Sequence, residues 1–378
     1  MITLEPEHSC LLGLLKTSLF DLPLVIPDGV NWNKLLEEAK CQCVVPLVSS
    51  NVPEEYRNEW LGISNQSKAH YMRMLYEQNS LVYLLKNSNI PFVILKGTAA
   101  SIYYPSSSLR MFGDIDIYVS EDYFEFAKKL LEDNGYQLNH FNERHNGYLK
   151  NGILFELHRK YSSQYYKDIE QIVLKGLNSA VNYKVSNYSF PGLPTYENGL
   201  VLLGHIMQHL KESGIGLRQI IDWMMFVHKE LDDYAWSEHF CPLAREAGLE
   251  KLAITVTFLC KKWLGLPNKI SWCNTADEDV AEQLLIRVLD EGNLGKDRAP
   301  TESVNYSIRK EGVFKYLQRA GMYNWSLAQK YNFFRPFAWL YQLFRYVFMG
   351  IAGLFTGKKV FMKTKRNMSL EELWKRLE

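Results

Sequence analysis

Asp114-Ile115-Asp116-Ile117 limits the fold of this chain more than any other stretch. Two carboxylates alternate with two isoleucines, and on a β-strand successive side chains point to opposite faces. Asp114 and Asp116 therefore share one face, and Ile115 and Ile117 the other. The isoleucine face calls for burial in a sheet covered on that side. The aspartates then stand together on the opposite face, where they repel each other unless a cation lies between them. Hard oxygen ligands in this arrangement suit Mg²⁺, which is held by one or two carboxylates plus substrate phosphates.

Around that strand the periodicity is mostly helical. Residues 7–90 read as helices, with Asn31 as a polar cap and a longer helix from about Gln66 to Lys86 that stacks Met72, Leu75, Leu81, Leu84 and Leu85 near one stripe. Phe92-Val93-Ile94-Leu95 is a short continuous apolar run, the mark of a buried strand. A helix is expected over Thr98–Tyr104, stopping before Pro105, and another over Tyr123–Asn134, closed by Gly135. Ile153–His158 reads as a further strand, paired after a turn at Asn151-Gly152. His140 and His145 fall in what reads as a loop before it. From about Thr195 the pattern is helical again, clearest over Glu197–Glu212 and Leu217–Glu230. It continues through Trp236–Leu264 and Asp277–Leu289, and residues 290–312 read as a polar loop. Few strands among many helices indicate an α+β chain. Its expected divisions are an N-terminal helical region 1–88, a core 89–192, a helical domain 193–330 and an aromatic and basic C-terminal segment 331–378.

With 378 residues and a net charge of +1, the chain has no broad field for phosphate backbones, which argues against a nucleic-acid partner. The cysteines Cys10, Cys41, Cys43, Cys241, Cys260 and Cys273 are scattered and read as reduced core thiols of a cytoplasmic protein. The first residues lack a basic stretch, so no secretory leader is expected. Phe337 to Phe355 is strongly apolar, but Gln342 and Arg345 near its middle argue against a membrane span. Lys358, Lys359, Lys363, Lys365 and Arg366 follow. The segment reads either as a helix packed on the body with a solvated tail, or as a peripheral membrane contact through 337–366.

The chemistry gathers around the two strands. Gly97 lies between a strand and a helix, where backbone N–H groups can approach a triphosphate. Thr98 can add a hydroxyl, and Lys96 and Arg110 can neutralise phosphate oxygens. Alone, each also fits an ordinary solvated turn or an ion pair with the aspartates. Glu156 supplies a third carboxylate and shares a strand face with His158. Three carboxylates from neighbouring strands can hold two metal ions, and the third can serve as general base. His205 and His209 are four apart on one helix face, as are Arg218 and Asp222. The histidines read either as cleft residues or as interhelical hydrogen-bonding groups, and the second couple as an intrahelical pair.

These motifs resemble the polymerase-beta-type nucleotidyltransferase superfamily and, more narrowly, its family of uncharacterised nucleotidyltransferases, many of them bacterial. The resemblance runs over about residues 65–230. It rests on Ile90–Gly97, Tyr104, Arg110, Asp114-Ile115-Asp116 and Phe155-Glu156-Leu157-His158, and reaches Leu202–His205, His209 and Leu217-Arg218 with Asp222. It implies a small mixed β-sheet core between helical regions and Mg²⁺-dependent transfer of an NMP from an NTP to a hydroxyl of a small-molecule or protein acceptor. Asp114, Asp116 and Glu156 are then the catalytic and metal-binding residues, with two ions expected. Lys96, Gly97, Thr98 and Arg110 hold the nucleotide, and His158, His205, His209 and Asp222 line the cleft. The superfamily's glycine-serine pair is here Gly97-Thr98, and the gap to Asp114 is longer than in the minimal motif. The competing reading is a non-catalytic nucleotide-sensing module or a membrane-peripheral scaffold in envelope or polysaccharide assembly.

Overall fold

A computed structural model describes residues 4–161, 167–212, 214–267, 269–293, 312–325, 327–328, 331–356 and 368–377. The chain divides into two units, one of residues 1–296 with 376–378 and the other of residues 297–375. In the first unit, helices α1 (Pro6–Phe20), α2 (Trp32–Cys41), α3 (Val45–Val48) and α4 (Glu54–Asn87) precede strand β1 (Phe92–Leu95). The side chain of Asn31 caps α2 by accepting the backbone N–H groups of Asn33 and Lys34. Helix α4 starts at Glu54, well before the expected Gln66. Its first turns bury little beyond Trp60 and Ser64, so they leave no apolar stripe in the sequence. The buried stripe also runs through Tyr71, Met74, Leu75, Leu81, Val82 and Leu85, and leaves Met72 exposed.

Helix α5 (Gly97–Ser101) is shorter than the expected Thr98–Tyr104 and leads to β2 (Asp114–Val119), α6 (Glu121–Asp133), β3 (Gln137–Phe141), β4 (His145–Lys150) and β5 (Ile153–His158). The strands order as β1-β2-β5-β4-β3. The β2–β5 pair is parallel and the others are antiparallel, so the sheet is mixed. Asn151 and Gly152 join β4 to β5 at φ 51° and 75°, the two positive values that a tight hairpin turn requires. His140 and His145 therefore lie in strands, not in a loop. Exposed, polar β3 gave no apolar alternation by which to recognise it.

One sheet face is the core. Ile115, Ile117, Val119, Ile153, Phe155 and Leu157 pack with Leu75, Leu81 and Leu85 of α4 and Phe124, Ala127 and Leu131 of α6. Each fully buried aliphatic or aromatic side chain of this kind contributes about 1.5–3 kcal/mol. The alternation along β2 and β5 consequently forces Asp114, Asp116, Glu156 and His158 onto the other face.

The unit continues with α7 (Lys167–Asn178), the hairpin of β6 (Val181–Val185) and β7 (Tyr188–Gly192), α8 (Thr195–Glu212) and α9 (Leu217–Glu230). The expected helix Trp236–Leu264 is interrupted. A wide turn over Trp236–Phe240 precedes α11 (Cys241–Glu246), itself preceded by the short α10 (Asp233–Ala235), and α12 spans Glu250–Trp263. Pro242 has no N–H to continue the ladder, and Gly248 turns the chain at φ 67°. Helix α13 (Glu278–Glu291) follows. Of the expected loop 290–312, residues 294–311 lie outside the described residues.

In the second unit, helices Val313–Asn324 and Ala338–Thr356 pack against each other, and a Cβ on Gly321 would collide with the Ala338 backbone. Gln342 is buried there and accepts from Asn324 Nδ2 at 3.1 Å, whereas Arg345 is exposed. The basic cluster from Lys358 to Arg366 lies outside the described residues. Among the described residues no helix is long and apolar enough to cross a membrane.

Candidate active site

Strand register builds the site. Asp116 is paired with Leu95 of β1 on one side and Glu156 of β5 on the other. Glu156 is paired in turn with Gly147 of β4, and Gly147 with His140 of β3. These positions form one row across the sheet, on the face opposite the core. A neighbouring row pairs His145 with His158 and His158 with Tyr118. Asp114 precedes Asp116 by two residues and extends the same face.

The centre of the row is a chain of ionic contacts. Lys96 Nζ donates to Asp116 Oδ1 at 2.9 Å, and His158 Nε2 lies 2.8 Å from the same oxygen. His158 Nε2 also lies 3.3 Å from Glu156 Oε2. The other carboxylate oxygen, Oε1, faces His145 Nε2 at 3.5 Å and His140 Nε2 at 3.7 Å. Lys96 reaches Asp116 because its backbone takes φ 46°, ψ −132° directly after β1, a conformation that costs a non-glycine residue about 1–3 kcal/mol.

Electrostatics divides the carboxylates. Burial, then the charges of Asp116 and Glu156, raises Asp114 to about 6. For Asp116 burial pushes up, but Lys96 and the hydrogen bond from His158 outweigh it and the carboxyl is lowered. Burial would also raise Glu156. Contacts with His140 and His158, with the histidine charges, hold it well below the usual range. His158 is raised, since contacts with Asp116 and Glu156 outweigh burial, while burial and the charge of His158 push His145 down to about 4. Three carboxylates share one face, and Asp114 carries a repulsion that a cation would relieve, but of the three only Asp116 and Glu156 belong to a group of three ligands within ligating reach, with His158.

The residues expected to hold a triphosphate are engaged differently. Thr98 is buried and its hydroxyl donates to Gln78 Oε1 at 2.6 Å. Gly97, at φ 21°, packs beside the Asp114 carbonyl and the Phe112 ring. Lys96 is spent on Asp116. Arg110 pairs with neither Asp114 nor Asp116. It grips Asp222 of α9 with both arms, Nε to Oδ1 and Nη2 to Oδ2, each at 2.8 Å, and Tyr104 Oη donates to the same Oδ1 at 2.7 Å. Both charged side chains are almost fully buried. Asp222 is therefore a buried anchor between α9 and the segment ahead of β2. The expected Arg218–Asp222 pair is replaced by Arg218 donating to Met111 O and Asn293 Oδ1. This clamp leaves no mark in the sequence, because its partners lie far apart along the chain and neither helix spacing nor alternation links them.

His205 and His209 of α8 meet edge to face, with ring centroids 4.3 Å apart. Burial, then each other's presence or the charges of Lys96 and Arg218, keeps both toward the neutral form, His209 at about 4. They stand within electrostatic reach of Lys96. Among the described residues no third metal ligand joins them. The groups that do come within ligating reach are Asp116, Glu156 and His158, and His140, His145 and Glu156.

A comparison with protein families adds an independent finding. The family described as Uncharacterised nucleotidyltransferase matches residues 28–265, more than half of the chain, and the protein belongs to it. No curated protein matches the chain.

Proposed function

From membership of this nucleotidyltransferase family, we propose that the protein transfers an NMP from an NTP to a hydroxyl of a small-molecule or protein acceptor. The observation that carries this reading is the pairing of Asp116 with Glu156 across the parallel strands β2 and β5, with Asp114 on the same face. Asp114 and Asp116, with Glu156 beside them, are the residues that would hold Mg²⁺. Bound there, the metal supplies charge neutralisation for the triphosphate and acidifies the attacking hydroxyl. Lys96 balances Asp116 when substrate is absent and is the nearest protein cation for an incoming phosphate. Glu156, held ionised by its histidines, suits the role of a metal ligand better than that of the general base expected from the sequence, because a carboxylate held so low takes up a proton poorly. Arg110 and Asp222 act at a distance by fixing the chain that enters β2. His205 and His209 contribute neutral imidazoles to the helical side of the cleft.

The test is incubation of the purified chain with Mg²⁺, each of the four NTPs labelled on the α-phosphate, and a cell metabolite extract. Label transfer and pyrophosphate release that vanish in Asp114→Ala/Asp116→Ala support the reading. No transfer by the unaltered chain, with nucleotide binding unchanged in the double variant, supports a sensing module instead. The six cysteines form no disulfide among the described residues, which suits a reducing cytoplasm. A second reading, peripheral membrane contact through 337–366, is favoured by the exposure of Phe337, Phe344 and Val347. Co-sedimentation with anionic vesicles that survives deletion of 331–378 would remove it.

A further inference from the structure

We propose that His140, His145 and Glu156 form a binding site for a transition-metal ion of the Zn²⁺ class, next to the Mg²⁺ position and chemically unlike it. The proposal does not rest on nucleotidyl transfer. Three atoms face one another: His140 Nε2 and His145 Nε2 are 3.3 Å apart, and they lie 3.7 and 3.5 Å from Glu156 Oε1. All three edges exceed the usual N–H···O length of about 2.9–3.0 Å. The centre of such a triangle is about 2.0 Å from each corner, the length of a Zn–N or Zn–O bond. The spacing thus suits a shared cation better than a set of hydrogen bonds. Two imidazoles and one carboxylate are also the donors that zinc and similar ions select, whereas Mg²⁺ takes oxygen.

Three features of the fold converge on this geometry. The register of β3 against β4 shifts between Leu138 and His140, a bulge of the kind that re-aims a side chain. The residue between His140 and Glu156 in the row is Gly147, and a Cβ there would collide with the His140 ring, so only glycine lets the ring lie across β4. Asn142 is fixed through its Oδ1, which accepts the backbone N–H groups of Arg144 and His145 at 2.7 and 3.0 Å. Its Nδ2 then lies 3.2 Å from His145 Nε2 and 3.5 Å from Nδ1, beside the edge of the ring. An ion on Nε2 would turn that amide to solvent. His140 is about one-third exposed, which leaves an entry path and a position for water as a further ligand. The ion would tie the β3–β4 hairpin to β5 and hold Glu156 by Oε1, leaving Oε2 toward His158 and Asp116.

The decisive experiment strips the full chain with a chelator and titrates it with Zn²⁺ by calorimetry and with Co²⁺ by visible absorption. One equivalent of Zn²⁺ and the intense Co²⁺ band of a four-coordinate, nitrogen-containing site are expected. His140→Ala and His145→Ala should weaken Zn²⁺ binding by about 100-fold or more, while Asp114→Asn should retain it. No binding by the unaltered chain, or a pale octahedral Co²⁺ spectrum, overturns the proposal. So does unchanged affinity in both histidine variants, or affinity lost only in Asp114→Asn. Should the alanine variants fail to fold by circular dichroism, the Co²⁺ spectrum of the unaltered chain decides. Label transfer with Mg²⁺ and no Zn²⁺ is read separately, so failure of the nucleotidyltransferase reading leaves the zinc result standing.

Discussion

The two ends of the polar row differ in how far their charges are already matched. At the β1–β2–β5 end, Lys96, Asp116 and His158 meet at 2.8–2.9 Å and are almost fully buried. Behind them Arg110 and Asp222 form a two-armed pair at 2.8 Å. At the β3–β4 end, His140, His145 and Glu156 are partly exposed and stand 3.3–3.7 Å apart. At the first end Asp116 is matched by the protein's own cations, and removing one partner strands a buried charge. The second is incompletely matched and tolerates loss of a member when no ion is bound. The same strand alternation produced both, and burial separates them.

The largest effect expected from breaking the matched end is on chemistry. Asp114→Ala/Asp116→Ala should lower nucleotidyl transfer by about 10³-fold or more, read as labelled product per unit time, because the charge clamp on the triphosphate is lost. Transfer at the original rate would remove the carboxylates from the reaction. Next, Asp222→Ala leaves Arg110 buried without its carboxylate and should destabilise the fold by about 3–5 kcal/mol in urea unfolding. A loss below about 1 kcal/mol would mean the clamp is not a structural anchor.

A smaller effect carries a definite sign. Asp114 is raised from 3.8 to about 6 in the folded chain, so the native state holds this proton more tightly than the unfolded state. Its ionisation therefore costs stability. The cost is absent below 3.8, grows through the window up to about 6 and is fully present above it. Asp114→Asn should accordingly raise the metal-free Tm at pH 8 by about 2–4 °C, with the gain shrinking toward pH 4. A gain that grows as pH falls would reverse the assignment. Smallest of all, His140→Ala at the open end should change metal-free stability by no more than about 0.5 kcal/mol. A cost as large as that of Asp222→Ala would erase the contrast between the two ends.

Much of this was legible along the chain. Asp114 and Asp116 had to share a face because Ile115 and Ile117 required burial, and the same logic joined Glu156 to His158. The hairpin turn was readable in Asn151-Gly152, since only residues tolerant of positive φ suit it. The start of α4 was hidden, because a polar first half buries too little to leave a stripe. Strand β3 was hidden for a similar reason, being an exposed edge. The Arg110–Asp222 clamp could not be read because its partners meet only when α9 docks beside the segment before β2. The neighbourhood of His140 and Glu156 depends on a strand register and on the missing side chain of Gly147, neither of which has a periodicity of its own.

The sequence by itself determined the α+β class, the family and the sharing of one strand face by Asp114 with Asp116 and by Glu156 with His158. Those properties follow from local alternation and motif, which act over a few residues. Only the tertiary structure decided the parallel register that sets Asp116 beside Glu156, the commitment of Arg110 to Asp222, and the approach of two histidines to one carboxylate oxygen. Each depends on which distant segments exclude water from one another, a free energy that belongs to the packed assembly and to no single stretch of chain.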